Sequence, residues 1–192
     1  MNSNRYCTAF MASALLATVA SGDMVVLDFA TDGGWANADD RYSVSTTNLH
    51  WWGGGYATDG ILFAYDHDSE TPGPGIGSLV VEAADGYLVQ GLSFDLGGYG
   101  EVLASARYDI LVDGELLASG DLDFEGASSL FTIDFGVDVE AGSAFEIVFD
   151  NYYRPAYVGL DNVAFNIVNV PAPGALALLG IAGVAGSRRR RG

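Results

Sequence analysis

The 192-residue chain contains no lysine, one cysteine (Cys7) and two histidines (His50 and His67). Without lysine, Schiff-base chemistry and a lysine general base are ruled out. One thiol cannot close an intrachain disulfide, and one Cys with two His cannot complete a four-ligand Cys/His zinc site. Positive charge is scarce as well. Eight arginines face 25 Asp and Glu, giving a formal charge of −17, and five of the eight lie within the first five or last five residues. A phosphate backbone is held by a basic face, so this distribution argues against nucleic acid as a partner. The chain also lacks Gly-x-Ser-x-Gly, His-Glu-x-x-His and a phosphate-binding glycine loop leading into a helix. What it has is apolar material: 49% hydrophobic and 12% aromatic residues predict a packed core rather than acidic disorder.

The two ends read as addresses. Residues 1–22 carry Arg5, then the apolar run Ala9 to Ala20, then the small residues Ser21 and Gly22, which is the layout of a secretory signal peptide cleaved after Ala20 or Gly22. Cys7 precedes the apolar run, where a lipoprotein attachment site would have to follow it, and its removal leaves a mature chain without thiol. Residues 170–192 read Val170-Pro171-Ala172-Pro173-Gly174, an apolar segment Ala175 to Gly186, and the cluster Arg188, Arg189, Arg190 and Arg191. As a short helix the apolar segment would span roughly 18 Å, less than a hydrocarbon core of about 30 Å. It predicts a transient stop in the inner membrane, with the arginines held in the cytoplasm, rather than a permanent anchor.

The Val-Pro-Ala-Pro motif, the Ala/Leu/Gly segment and the terminal arginines resemble the PEP-CTERM sorting signal of exported Gram-negative bacterial proteins. That resemblance implies an exosortase-type processing enzyme as partner and a cell-surface or extracellular destination. Ala172 stands where the family's motif usually has glutamate.

Residues 23–169 alternate. Val25, Leu27 and Phe29 share one face, as do Leu92, Phe94 and Leu96, then Tyr108, Ile110 and Val112, Phe131, Ile133 and Phe135, Phe145, Ile147 and Phe149, and Val163, Phe165 and Ile167. Period two is the signature of half-buried strands, and Asp95, Asp109, Asp134, Glu146 and Asp150 occupy the opposite parity. Asp113-Gly114 between Ile110-Leu111-Val112 and Glu115-Leu116-Leu117 predicts a two-residue type I′ hairpin. About nine or ten such segments without an amphipathic helix predict an all-β antiparallel β-sandwich, a jelly roll, between the signal peptide and the C-terminal apolar helix. Gly91 to Leu96 and Gly159 to Phe165, with Asp161-Asn162-Val163 inside it, resemble segments of jelly-roll, galactose-binding-like domains.

Candidate ligand contacts fall in two aromatic clusters, Trp51, Trp52 and Tyr56 around Gly53 to Gly55, and Tyr152, Tyr153 and Tyr157 around Arg154-Pro155. Flat rings beside polar groups stack on sugar faces, although Trp51 also continues a strand-like stretch from Tyr42. Asp66, Asp68 and Glu70 place oxygens at alternate positions before a Pro/Gly loop, a pattern suited to a structural calcium ion. Asp161, on the parity of Val163 and Phe165, is a buried carboxylate that needs a partner, which a backbone turn could supply as well as a metal. No carboxylate pair among 25 is distinctive enough to designate a glycosidase. Two readings follow: an exported, non-enzymatic cell-surface or extracellular-matrix protein with a structural or adhesive body, or a carbohydrate-binding module that contacts extracellular polysaccharide.

Overall fold

A computed structural model describes residues 22–33, 39–58, 60–64, 75–101, 103–136, 142–151 and 158–170. They form eleven strands and no α-helix: β1 Asp23–Leu27, β2 Tyr42–Thr47, β3 Leu49–Trp52, β4 Ile61–Ala64, β5 Gly75–Ala83, β6 Tyr87–Gly98, β7 Leu103–Val112, β8 Glu115–Glu125, β9 Leu130–Gly136, β10 Ala144–Asn151 and β11 Val158–Asn169. The predicted signal peptide up to Ser21 and the C-terminal apolar helix lie outside the described residues.

Two antiparallel sheets face each other. One has the order β3-β4-β11-β6-β9, with β1 also pairing β11; the other has the order β2-β5-β10-β7-β8. The pairs β4/β11, β5/β10, β6/β9 and β7/β8 are nested inside one another. From β4 onward the chain is therefore one long hairpin, wound so that successive rungs alternate between the sheets, which is the jelly-roll winding. Its tip is the predicted Asp-Gly turn, where Asp113 (φ 50°) and Gly114 (φ 83°) both take positive φ as type I′ requires.

The core is the inward parity of both sheets. Phe94, Leu96, Phe145, Ile147, Phe149, Leu160, Val163 and Phe165 are buried together, and Phe145 meets Phe165 edge-on at 5.4 Å between ring centres. Each such side chain contributes about 1.5–3 kcal/mol through removal from water. The outward parity of the five-stranded sheet carries Arg107, Asp109, Asp121, Glu146 and Asp150. Arg107 Nη2 donates to Asp109 Oδ1 at 3.0 Å, while Asp150 Oδ1 is buried without a hydrogen-bond partner among the described residues. Burial raises the Asp150 carboxyl above the ordinary carboxylate range, against the attraction of Arg107.

The expected strand running from Tyr42 to Trp51 is in fact two. Asn48 adopts φ 52°, which breaks the extended run and passes the chain from β2 in one sheet to β3 in the other. Asparagine is among the few residues that visit the left-handed region at small cost, and Val44 and Trp51 reach the core from opposite sheets.

Both ends of the fold emerge at one pole. Asp23 pairs with Ile167 across β1 and β11, Arg41 Nη1 holds Asp23 at 2.7 Å, and Val170 N–H donates to Gly86 O at 2.8 Å.

Candidate functional site

The outer face of the six-stranded sheet is where rings and polar groups meet solvent. On β3 alternation turns Leu49 and Trp51 inward and His50 and Trp52 outward. The Trp51 indole packs against the core and its Nε1–H donates to Phe29 O at 2.7 Å. Trp52, one residue later, is 53% exposed. Register pairs His50 with Phe63 of β4, their ring centres 5.9 Å apart. Tyr56 stacks on Phe63 at 6.4 Å and meets Tyr99 at 4.8 Å. The result is a continuous strip, His50–Phe63–Tyr56–Tyr99, with Trp52 beside its exposed end.

The structure thus divides the first predicted aromatic cluster. Trp51 packs against the core with its indole on a backbone carbonyl, and Tyr56 is only 8% exposed beside its two ring neighbours. Trp52 alone of the three offers an open face. Phe63 and Tyr99 carry no mark in the sequence, because they belong to β4 and to the residue just after β6, and only backbone pairing brings them to Tyr56. Tyr152, Tyr153, Tyr157, Asp66, Asp68 and Glu70 lie outside the described residues, as do Pro171, Ala172, Pro173 and Arg188 to Arg191. Val170 ends the described fold. Among the described residues no group of three or more His, Cys, Asp or Glu is placed to share a metal ion, and no outward side chain of the five-stranded sheet is aromatic.

Asp161 departs from its predicted orientation. Asn162 takes φ 49° at an irregularity in the β6–β11 register, so parity reverses there: Leu160 and Val163 point inward and Asp161 shares the outer side with Asp95. It is nonetheless 5% exposed. Burial raises its carboxyl, opposed by hydrogen bonds from the Asn162 N–H, the Thr58 hydroxyl and the Phe29 N–H. Backbone and hydroxyl groups supply hydrogen-bond partners to this carboxylate. Alongside it the Asn162 amide donates to Asp95 Oδ2 at 2.9 Å, and Thr132 Oγ1 donates to Asp95 Oδ1 at 2.6 Å. A polar ladder therefore crosses β11, β6 and β9 on the same outer face as Trp52.

No family model matches the chain, and no curated protein matches it in sequence. Among solved structures it is similar to a family 61 carbohydrate-binding module in complex with β-1,4-galactotriose, at 11% identity and TM-score 0.40 over 67% of this chain and 88% of that one. A xylan-binding family 22 domain from Paenibacillus barcinonensis shows 16% identity and TM-score 0.39, covering 80% and 98%. A family 11 carbohydrate-binding module from Clostridium thermocellum, in complex with a β-1,3-1,4-mixed-linked tetrasaccharide, shows 13% identity and TM-score 0.36, covering 79% and 98%.

Proposed function

We propose that this chain is an exported, non-enzymatic protein whose β-sandwich binds neutral polysaccharide, with Trp52 as the stacking surface. The observation that carries the reading is the Trp52 ring, 53% exposed on the outward side of an edge strand. A large flat ring left open to water gains by covering an apolar face, and the CH face of a sugar ring is such a partner. Exposed His50 beside it and Phe63 across the ladder widen the platform. Electrostatics selects the polymer: residues 23–169 hold all 25 acidic residues and only Arg41, Arg107 and Arg154, so polyanionic glycans are repelled.

The test is affinity electrophoresis through gels containing soluble mixed-linkage β-glucan, arabinoxylan or galactan, with alginate as the anionic control. Retardation by at least one neutral polymer is expected, and Trp52→Ala should weaken it about tenfold or more, equivalent to roughly 1.4 kcal/mol. Unchanged retardation of the variant would remove Trp52 from the site, and free migration of the parent in every neutral gel would remove the carbohydrate reading.

Export rests on the arrangement of residues 1–22 and 170–192, and on the two ends of the fold leaving together, which lets both segments reach the same membrane. The inner membrane is a transient stop and an exosortase-type enzyme the processing partner in this reading. Mass spectrometry of the protein recovered from the surface or medium of its native host should find a chain that starts at Ser21 or Asp23 and lacks Arg188 to Arg191. Recovery of the intact chain from the cytosol would refute export.

A further inference from the structure

A second feature of the same outer face is a depression that the aromatic strip does not reach. Besides the irregularity at Asn162, pairing along β6 slips at two further places. Gln90 opposes Asn166 and Ser93 opposes Ala164, so β6 spends one residue more than β11 there. On its other side, Leu92 opposes Gly136 while Ser93 opposes Asp134, so β9 has the extra residue. Gly91, at φ 68°, sits at the first slip. Bulges bend a strand and re-aim its side chains. Where these meet, the sheet opens a groove of about 240 Å³ whose rim and floor include Met24, Gly91, Ser93, Asp134, Ala164 and Asn166.

The polar members come from three strands: a hydroxyl from β6, a carboxylate from β9 and an amide from β11. Together they offer acceptors and donors of the kind that pairs of vicinal hydroxyls satisfy. The opposite wall is apolar: Met24 on β1 lines it and is 72% exposed. Methionine's polarizable thioether adapts to an irregular apolar face. The volume lies below the roughly 300–1,000 Å³ of drug-sized pockets, and a single carboxylate lines it, too few hard oxygens from side chains for a calcium shell. From this we infer a second saccharide subsite that holds one neutral sugar residue, its CH face on Met24 and its hydroxyls on Asp134, Asn166 and Ser93. It rests on the carbohydrate reading above. Asp161 and its cover, Thr58 and the Phe29 backbone, stand between this groove and Trp52, so the two are separate contacts.

The decisive measurement is a ¹⁵N-resolved NMR titration of the parent chain with free glucose, galactose and xylose in turn. At least one sugar should shift the Asn166 side-chain amide together with the Ser93 and Ala164 backbone amides, and these shifts should persist in Trp52→Ala. Asn166→Ala and, as a second variant, Ser93→Ala should lose them while the Trp52 indole still responds to the retained polymer. A Trp52 response with a silent Asn166 amide for all three sugars would overturn the subsite and leave the carbohydrate reading standing. Silence at both Trp52 and Asn166, with polymer as well as free sugars, would overturn both.

Discussion

Gly60→Ala should destabilise the protein by about 3 kcal/mol, the upper end of the usual cost of inserting a methyl into a filled site. A Cβ at Gly60 would overlap the carbonyl oxygen of Phe29 and come within 2.8 Å of its carbonyl carbon and 2.9 Å of the Ala30 Cα. These are backbone atoms, so no side-chain rotation relieves the overlap. The Phe29 oxygen is also the acceptor of the Trp51 indole, and the Phe29 N–H serves Asp161. Displacing the backbone of this one residue therefore loosens β3 and β11 together. At roughly 2–4 °C per kcal/mol for a domain of this size the melting temperature should fall by about 6–12 °C, and the Trp51 Nε1–H resonance should move. Gly54→Ala is the control, since a methyl at that position would meet nothing within 4 Å. Equal melting of the two variants would contradict the close approach of residues 28–30 to β4.

Asp113→Ala should cost about 1–2 kcal/mol near neutral pH, the lower range for hydrogen bonds to a charged group because this side chain is exposed. Asp113 Oδ1 accepts from Ser143 Oγ at 2.6 Å and from the Ser143 and Ala144 N–H groups at 2.9 Å each. One carboxylate oxygen thus pins the tip of the long hairpin to the start of β10. The Ser143 hydroxyl is the chief cause that holds this carboxyl below its ordinary value, followed by the Ala144 N–H. The sign follows from that direction. Stability due to a depressed carboxyl is fully present above the unfolded value of about 3.9 and is lost as pH falls through the lower folded value. The gap in denaturant-derived stability between parent and variant should therefore be full at pH 6 and shrink below pH 4. Asp150 and Asp161, whose carboxyls are raised by burial, change stability in the opposite sense, but they are common to both proteins and cancel in the difference. A gap independent of pH would mean that the charge of Asp113 contributes nothing.

Local chemistry is legible in the sequence where a short-range rule governs it. The period-two runs around Phe94, Phe149 and Phe165 lie in strands, and Asp113-Gly114 makes its turn, because alternation and positive φ are decided within a few residues. Sheet membership is not, since the nested pairing joins residues as distant as Leu62 and Leu160. The site is half legible. Trp52 can be picked out as an aromatic, and Leu49-His50-Trp51-Trp52 alternates, yet nothing nearby says that β3 leaves the sheet of β2 at Asn48. Tyr56 reads as a loop residue because the rings that bury it, Phe63 and Tyr99, arrive from other strands. Asp161 defeats the parity rule because a single left-handed residue, Asn162, shifts the count, and alternation cannot be carried through a bulge.

The side-by-side exit of the two ends fixes how the molecule responds to tension. Because Asp23 lies opposite Ile167 near the terminus of β11, a pull applied between the ends would peel β1 away rung by rung, like a zipper, instead of shearing the whole ladder at once. A load taken up at Trp52 and resisted at the C-terminus follows another route, from β3 through β4 into β11, and leaves β1 slack. The mechanical weak point of this sandwich depends on where it is held.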